Sequence, residues 1–205
     1  KVLQVRAVEM AKKYNVRVQV LSSFADVIGS DEAGTLVVPE EEMMEEEKVH
    51  GITYSQNDTK ITLMSVPDKP GIAADVFAPL AEQEINVDMI VQNIATDGRH
   101  TDMTFTVPDE YKDKALAALK SVTFLRDSDI EMRVEEDVAK VSIVGVGMKS
   151  HAGVARTMFE TLAAKGVNIQ VISTSEIKIS VLIPAAYTEL AVRSLHDAYQ
   201  LDKGA

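Results

Sequence analysis

The apolar positions of this chain change their period in a fixed order. Ile61, Leu63 and Ser65 alternate with Thr62, Met64 and Val66, the two-residue period of a half-buried strand. After the turn Pro67-Asp68-Lys69-Pro70-Gly71, the residues Ile72, Val76, Leu80 and Ala81 recur at helical spacing, with Phe77 and Glu84 flanking that face. Residues 86–93 and 103–107 read as strands, 111–119 as a second amphipathic helix behind Pro108-Asp109, and 130–134 as an alternating last strand. The predicted order is β-α-β-β-α-β.

A second copy follows. Gly71, Ala73, Phe77, Leu80 and Asn86 fall on Gly153, Ala155, Phe159, Leu162 and Asn168 at an offset of 82 positions. Beyond the next hairpin the offset is 76: Val107, Pro108, Tyr111, Ala115 and Leu119 meet Ile183, Pro184, Tyr187, Ala191 and Leu195. The difference lies in the turn between Ala95 and Thr101, where the first copy carries the extra Asp97-Gly98-Arg99-His100. The second copy reads as a strand over 141–146, a helix over 153–165, strands over 168–173 and 177–183, and a helix over 187–199. It then stops, because 201–205 is too short and polar for a fourth strand. An uncovered sheet edge invites mispairing, so residues 49–54, Val-His-Gly-Ile-Thr-Tyr, are assigned to that edge. This inserts the first module into the second; pairing of Ile52 within the first sheet alone would contradict it.

The first fifty residues differ in kind. Leu3, Ala7, Met10, Ala11 and Tyr14 form a helical stripe. Val16, Val18 and Val20 alternate as a strand, and Leu36-Val37-Val38 follows Gly34 as another. The Glu-rich run 40–48 reads as a solvated linker, with Met43 or Met44 as an internal translation start for a smaller subunit as the sharper alternative.

Composition narrows the function classes. The chain has 205 residues, 46% hydrophobic and 26% charged, enough for real cores. No apolar run reaches the roughly 18–20 residues of a membrane span. Cysteine is absent, which rules out disulfides and thiolate chemistry and fits a reducing, cytoplasmic setting. With 32 acidic and 21 basic residues and no Trp, the chain lacks the cations and stacking rings that bind nucleic acid. Lys1 in place of an initiating Met reads as a fragment or a processed product.

No motif of catalysis is present: no Walker loop, no complete dinucleotide fingerprint around Gly145-Val146-Gly147, no H-E-x-x-H and no paired histidines among His50, His100, His151 and His196. The expectation is a chain with no catalytic residue, no metal and no cofactor of its own. What recurs is a strand-to-helix loop, Asp68-Lys69-Pro70-Gly71-Ile72 in one copy and Ser150-His151-Ala152-Gly153-Val154 in the other. Free N–H groups at a helix start attract a carboxylate, and glycine lets it approach the backbone. The Asn that follows in each copy, in Asn86-Val87-Asp88 and Asn168-Ile169-Gln170, adds amide groups. A single such glycine is ordinarily a turn; the pair points to a site for a free α-amino acid.

At these residues a family resemblance appears. D-K-P-G-I-A with N-V-D-M-I-V-Q-N, and V-S-I-V-G-V-G-M-K-S-H-A-G-V-A with N-I-Q-V-I-S-T-S-E-I-K-I-S-V-L-I, resemble the two ACT domains of aspartokinases. Upstream, V-L-Q-V-R-A-V-E-M-A-K-K-Y-N-V and G-T-L-V-V resemble the end of their catalytic domain. The resemblance implies an α+β fold of two ferredoxin-like βαββαβ ACT domains in tandem, the first inserted into the second, behind the tail of a kinase domain. It divides the chain into residues 1–48 (kinase end and acidic linker), 49–55 (the strand completing the second sheet), 56–136 (first ACT domain) and 137–205 (second). It implies a regulatory region that binds lysine, threonine or both and inhibits aspartate phosphorylation, with ATP and Mg used only by the kinase domain. It also implies homodimers through ACT domains, with each pocket shared between chains, and a kinase domain or catalytic subunit as the further partner.

Carried over by motif, a threonine-like pocket comprises Asp68, Gly71, Ile72, Ala73 and Gln92 with Asn168, Ile169 and Thr174 across the interface. A lysine-like pocket comprises Met148, Ser150, His151, Gly153 and Val154 with Val87, Asp88, Ser175 and Glu176. Asp88 and Glu176 supply anions for an ε-ammonium group; the alternative is that both are strand-end residues facing solvent. Two rival readings are a tandem-ACT sensor serving another enzyme, against which the upstream kinase-like segment argues, and an acyl phosphatase on the same scaffold, for which the first loop lacks an Arg.

Overall fold

The computed structural model describes residues 3–21, 34–37, 49–95, 97–126, 130–145, 148 and 152–202. The chain divides into two units, residues 1–47 and 48–205. In the first, helix α1 (Val5–Lys13) ends in Lys12 and Lys13, cations that suit the negative end of the helix dipole. Met10 and Tyr14 of its apolar stripe stay exposed. Strands β1 (Val18–Val20) and β2 (Thr35–Val37) pair antiparallel, Val18 opposite Val37. Gly34 lies so near this hairpin that a Cβ there would stand 2.4 Å from the Val20 carbonyl oxygen, which explains the glycine. Val38 and the acidic run 40–48 lie outside the described residues.

The second unit holds β3 (Gly51–Pro67), α2 (Ile72–Glu82), β4 (Asp88–Ile94), β5 (His100–Pro108), α3 (Lys112–Ser121), α4 (Thr123–Arg126), β6 (Met132–Val144), α5 (Ala152–Ala164), β7 (Val171–Thr174), β8 (Lys178–Pro184) and α6 (Thr188–Ala198). One-turn 3-10 segments, Asp109–Tyr111 and Ala185–Tyr187, lead into α3 and α6. All six strands form one antiparallel sheet in the order β4-β5-β3-β6-β8-β7.

The two central strands belong to both modules. The first half of β3 runs against the end of β6, with Gly51 opposite Val144, Ile52 opposite Ile143 and Ser55 opposite Lys140. Its second half pairs with β5 and with the start of β6, Lys60 opposite Glu135 and Leu63 opposite Met132. Two four-stranded units therefore share the pair β3–β6, and the first module is inserted into the second. The sequence reading had four separate strands here; the structure has two long ones. Neither 56–59 nor 135–139 contains a glycine or proline to force a turn, so the backbone runs on, with register shifts on either side of Asp58.

Two further elements differ from the sequence reading. Asn86 and Asn168 precede their strands rather than opening them. After α2, Glu84 takes a positive φ and the Ile85 N–H bonds the Leu80 carbonyl; after α5, Gly166 and Val167 do the same against Leu162. These closures of the helix C-termini delay the return to extended backbone. The short helix α4 is an addition found only in the first module.

Period-two alternation sorts the sheet's side chains. Ile61, Leu63, Met103, Phe105 and Val107 face α2 and α3 in one core, where Phe105 meets Phe77 edge-on at 5.1 Å between ring centroids. Ala139, Val141, Ile143, Ile179, Val181 and Ile183 face α5 and α6 in the other. The intervening positions point to the helix-free face. There Thr62 bonds Thr104 at 3.1 Å and Ser142 bonds Ser180 at 2.7 Å, around a small apolar cluster of Met89, Val138, Val171 and Leu182. That cluster draws members from both edge strands, so β4 and β7 approach one another across this face.

Candidate functional site

The repeated loops are each tied to the hairpin of their own module. In the first, the Asp68 N–H donates to the Arg99 carbonyl at 2.8 Å, which fastens the β3–α2 loop to the β4–β5 turn. Asp97 organises that turn: its carboxylate accepts the N–H groups of Arg99 and His100 and pairs with the His100 ring. The Arg99 N–H first, and then His100, draw its carboxyl down to about 2. Gly71, the N-cap of α2, sits at φ +92, where any other residue is strained, although an added Cβ would meet open space. Ile72 is buried, while Asp68, Gly71 and Ala73 are exposed, so the loop presents backbone to solvent above an anchored helix.

In the second module the Met148 N–H donates to the Glu176 carbonyl at 2.8 Å and the Gly145 N–H to the Ile177 carbonyl at 2.9 Å, which ties that loop to the β7–β8 turn. Ser175 closes the turn with its N–H and its hydroxyl, both directed at the Lys178 carbonyl. Met148 and Val154 are buried; Gly153, Ser175 and Glu176 are exposed. Unlike Gly71, Gly153 lies inside a helix at an ordinary φ with open space around it. Ser150 and His151 lie outside the described residues. Tyr199, which sequence reasoning did not single out, donates from its hydroxyl to the Val154 carbonyl at 2.7 Å and pins the start of α5 to the end of α6. Burial pushes its phenol up to about 12.

Within one chain the structure thus joins Met148 to Glu176, buries Met148 and Val154 in one core, and keeps Asp68, Gly71, Ile72 and Ala73 together in one loop and helix start. The rest sit on or beside the edge strands. Val87 is half-buried against the first core, Gln92 is exposed on β4 opposite Met103, Asn168 is exposed, Ile169 packs on the second core, and Thr174 ends β7 opposite Ile179. Among the described residues β4 pairs only with β5 and β7 only with β8, leaving each with an open edge. A cleft of about 330 Å³ between them is lined by Val91, Asn93, Thr104 and the segment from Ile169 to Ile172.

Asp88, assigned from sequence to hold an ammonium group, already holds one. Lys140 Nζ lies 2.7 Å from Asp88 Oδ2, and the Met89 N–H caps Asp88 Oδ1. Partial burial by itself would raise this carboxyl; the Lys140 hydrogen bond, the Met89 N–H and the charges of Lys140 and Lys178 outweigh it and hold it below the usual carboxylate range. No signal in the sequence foretold this, because the partners lie 52 positions apart on different strands. Among the described residues no three His, Asp or Glu side chains converge as metal ligands, and no helix is long and apolar enough to cross a membrane.

The ACT domain family matches residues 61–122 and 141–199. Aspartokinase from Pseudomonas aeruginosa is 50% identical over 204 residues, 98% of this chain and 48% of that protein. Aspartokinase from Helicobacter pylori is 49% identical over 207 residues, 99% of this chain and 49% of that protein. Among solved structures, the ligand-free regulatory subunit of aspartate kinase from Thermus thermophilus is 45% identical with a TM-score of 0.69, over 73% of this chain and 97% of that one. This chain belongs to the aspartate kinase family, as its tandem ACT regulatory region. It spans about half the length of the curated aspartate kinases it matches. A structure of aspartokinase alpha and beta subunits contains a chain 46% identical, with a TM-score of 0.67 over 75% of this chain and 99% of that one. Each module thus carries a loop held to its own hairpin by backbone hydrogen bonds.

Proposed function

We propose that this ACT region binds L-threonine and L-lysine and, through them, sets the activity of an aspartate kinase catalytic domain. The observation that carries the reading is the pair of equivalent loops, each leading to a helix and each held to its own hairpin by backbone hydrogen bonds, Asp68 to Arg99 in one and Met148 to Glu176 and Gly145 to Ile177 in the other. The α-carboxylate of the effector accepts N–H groups at the start of α2 or α5. The edge strands of a second copy supply the other half of each pocket: Asn168, Ile169 and Thr174 for threonine, and Val87, Asp88, Ser175 and Glu176 for lysine. Open edges on β4 and β7, with Ile90, Ile94 and Ile172 exposed along them, support pairing of this kind. Residues 1–48 are read as the end of a kinase domain and its linker, with the exposed Met10 and Tyr14 awaiting cover from that domain. ATP and Mg are used by the kinase domain.

Regulation follows as a population shift. The effector binds one arrangement of paired ACT regions more tightly, and the kinase responds by no more than that difference in affinity. Isothermal titration with L-lysine, L-threonine, and each in the presence of the other tests the reading. Saturable binding with no response to the D-enantiomers is expected, and heats of dilution alone for both would overturn it. In the enzyme joined to its catalytic part, Gly71→Asp and Ser175→Phe are each expected to relieve inhibition.

A further inference from the structure

Asp58 is the one acidic side chain among the described residues that is both buried, at 8% exposure, and left with a carboxylate oxygen, Oδ2, lacking any hydrogen-bond partner. A buried charged oxygen in that state calls for a reason. The reason stands beside it: Lys140 Nζ is 3.8 Å from Asp58 Oδ2, an ion pair without a hydrogen bond, while it bonds Asp88 Oδ2 at 2.7 Å. One lysine lies between two carboxylates, bound to the exposed one and within about an ångström of bonding the buried one.

We propose that Lys140 is an internal, displaceable occupant of the Asp88 carboxylate: an incoming ligand ammonium takes Asp88, and the Lys140 ammonium moves onto Asp58. The proposal rests on the reading above that Asp88 holds the side-chain ammonium of a cationic amino acid. It adds what that reading leaves unexplained, namely how a carboxylate already carrying an ammonium accepts another. Without Asp58, the displaced lysine would be left in a largely buried place, at 19% side-chain exposure, without a partner. With Asp58, it exchanges an exposed hydrogen bond for a buried one, so the exchange is close to balanced.

The repeat shows why only one of the two equivalent places works this way. Lys60 corresponds to Lys140, and it bonds Gln170 Oε1 at 3.0 Å, the residue that corresponds to Asp88. Gln170 is neutral, and the Lys60 charge is met instead by Glu135 at 2.7 Å. A carboxylate that releases its lysine is built into one copy alone, so a cationic amino acid is directed to that copy and a neutral one is left for the other.

The test is titration of the 205-residue chain with L-lysine, and with L-norleucine as the probe lacking the ammonium group, across Lys140→Met, Lys140→Gln, Asp58→Asn and the control Lys178→Met, with circular dichroism confirming the fold of each. Removing the internal competitor is expected to tighten L-lysine roughly two- to fivefold, the worth of a partly exposed ion pair. Asp58→Asn is expected to weaken it by a similar factor, and L-norleucine is expected to be indifferent to all four changes. Lys178→Met removes a charge that acts on Asp88 without competing for it, and is expected to have the smaller effect. Lysine binding by the wild type that is unaltered in both Lys140 variants, or raised equally by Lys178→Met, overturns the exchange and leaves the functional reading intact. A wild-type chain that does not bind lysine overturns both.

Discussion

Lys60 and Lys140 hold the same place in the two ACT modules and each reaches across to the other module. Lys60 lies opposite Thr106 and Lys140 opposite Leu182, partners that are themselves 76 positions apart, the offset of the later repeat. Lys60 bonds Gln170 just ahead of β7, and Lys140 bonds Asp88 at the start of β4. The crossed pair ties both edge strands to the shared centre of the sheet, on the face opposite α2, α3, α5 and α6. Glu135 and Asp88 are 45% and 55% exposed, and pairs of this kind add little to stability. Their effect is to place the edge strands.

The two lysines are nevertheless not equal in stability. Lys60→Met leaves partners that water can reach, and should lower the unfolding free energy by under about 1 kcal/mol. Lys140→Met leaves the buried Asp58 carboxylate without its counter-ion, and should lower it by about 1–3 kcal/mol. Urea unfolding of both variants checks the order; equal losses would mean that Asp58 gains nothing from Lys140.

Gly71 and Gly153 are expected to answer alanine in opposite directions. At φ +92, Gly71→Ala should destabilise by about 1 kcal/mol through backbone strain alone. In a helix with open space around it, Gly153→Ala should stabilise by about 0.4–1 kcal/mol. If the second loop receives a ligand against its backbone, Gly153→Ala also weakens amino-acid binding while raising stability. Thermal unfolding and titration on the same sample separate the two effects, and unchanged affinity would remove Gly153 from the site.

Tyr199 confers an alkaline limit on stability. Its folded phenol sits at about 12 against about 10 for an unfolded tyrosine. The folded state therefore keeps a proton that the unfolded state loses, so the contribution is complete below about pH 10 and disappears as pH rises through about 12. Tyr199→Phe should flatten that part of the stability profile and, through the lost bond to the Val154 carbonyl, cost about 1 kcal/mol at neutral pH. Denaturant midpoints measured from pH 8 to about 11 follow the slope directly.

Ile90 and Ile172 stand on the two open edges at 52% and 46% exposure. Lysine at either should change monomer stability by no more than about 0.5 kcal/mol while opposing edge-to-edge pairing. Sedimentation equilibrium is expected to show a lower mass for Ile90→Lys and Ile172→Lys than for the wild type. An unchanged oligomer would place the interface elsewhere.

The β-α-β-β-α-β order, the duplication, the paired strand-to-helix loops and the edge role of residues 49–54 were legible from the amino acids, because each is written locally: period two against period three to four, a glycine after a turn, an offset that repeats. The lengths of the central strands were less legible. A run such as Ser55-Gln56-Asn57-Asp58 reads as a break by its polarity, yet pairing with β6 resumes at Asp58 past a register shift and β5 joins there, so the strand continues. Lys140, Asp58 and Tyr199 escaped for a related reason: each acts through a partner far along the chain, and spacing carries no information about such contacts.

The sequence by itself determined two repeated modules, their order and one inserted in the other, since hydrophobic period and turn chemistry act over a few residues; the family followed from the resemblance of its loop and strand motifs. Only the tertiary structure decided that the modules share two continuous strands, that β4 and β7 approach one another across the face opposite α2, α3, α5 and α6, and that Asp88 is held by a lysine with a second, buried carboxylate beside it. Those are consequences of sheet curvature and strand register, which bring side chains 52 and 110 positions apart into hydrogen-bond contact.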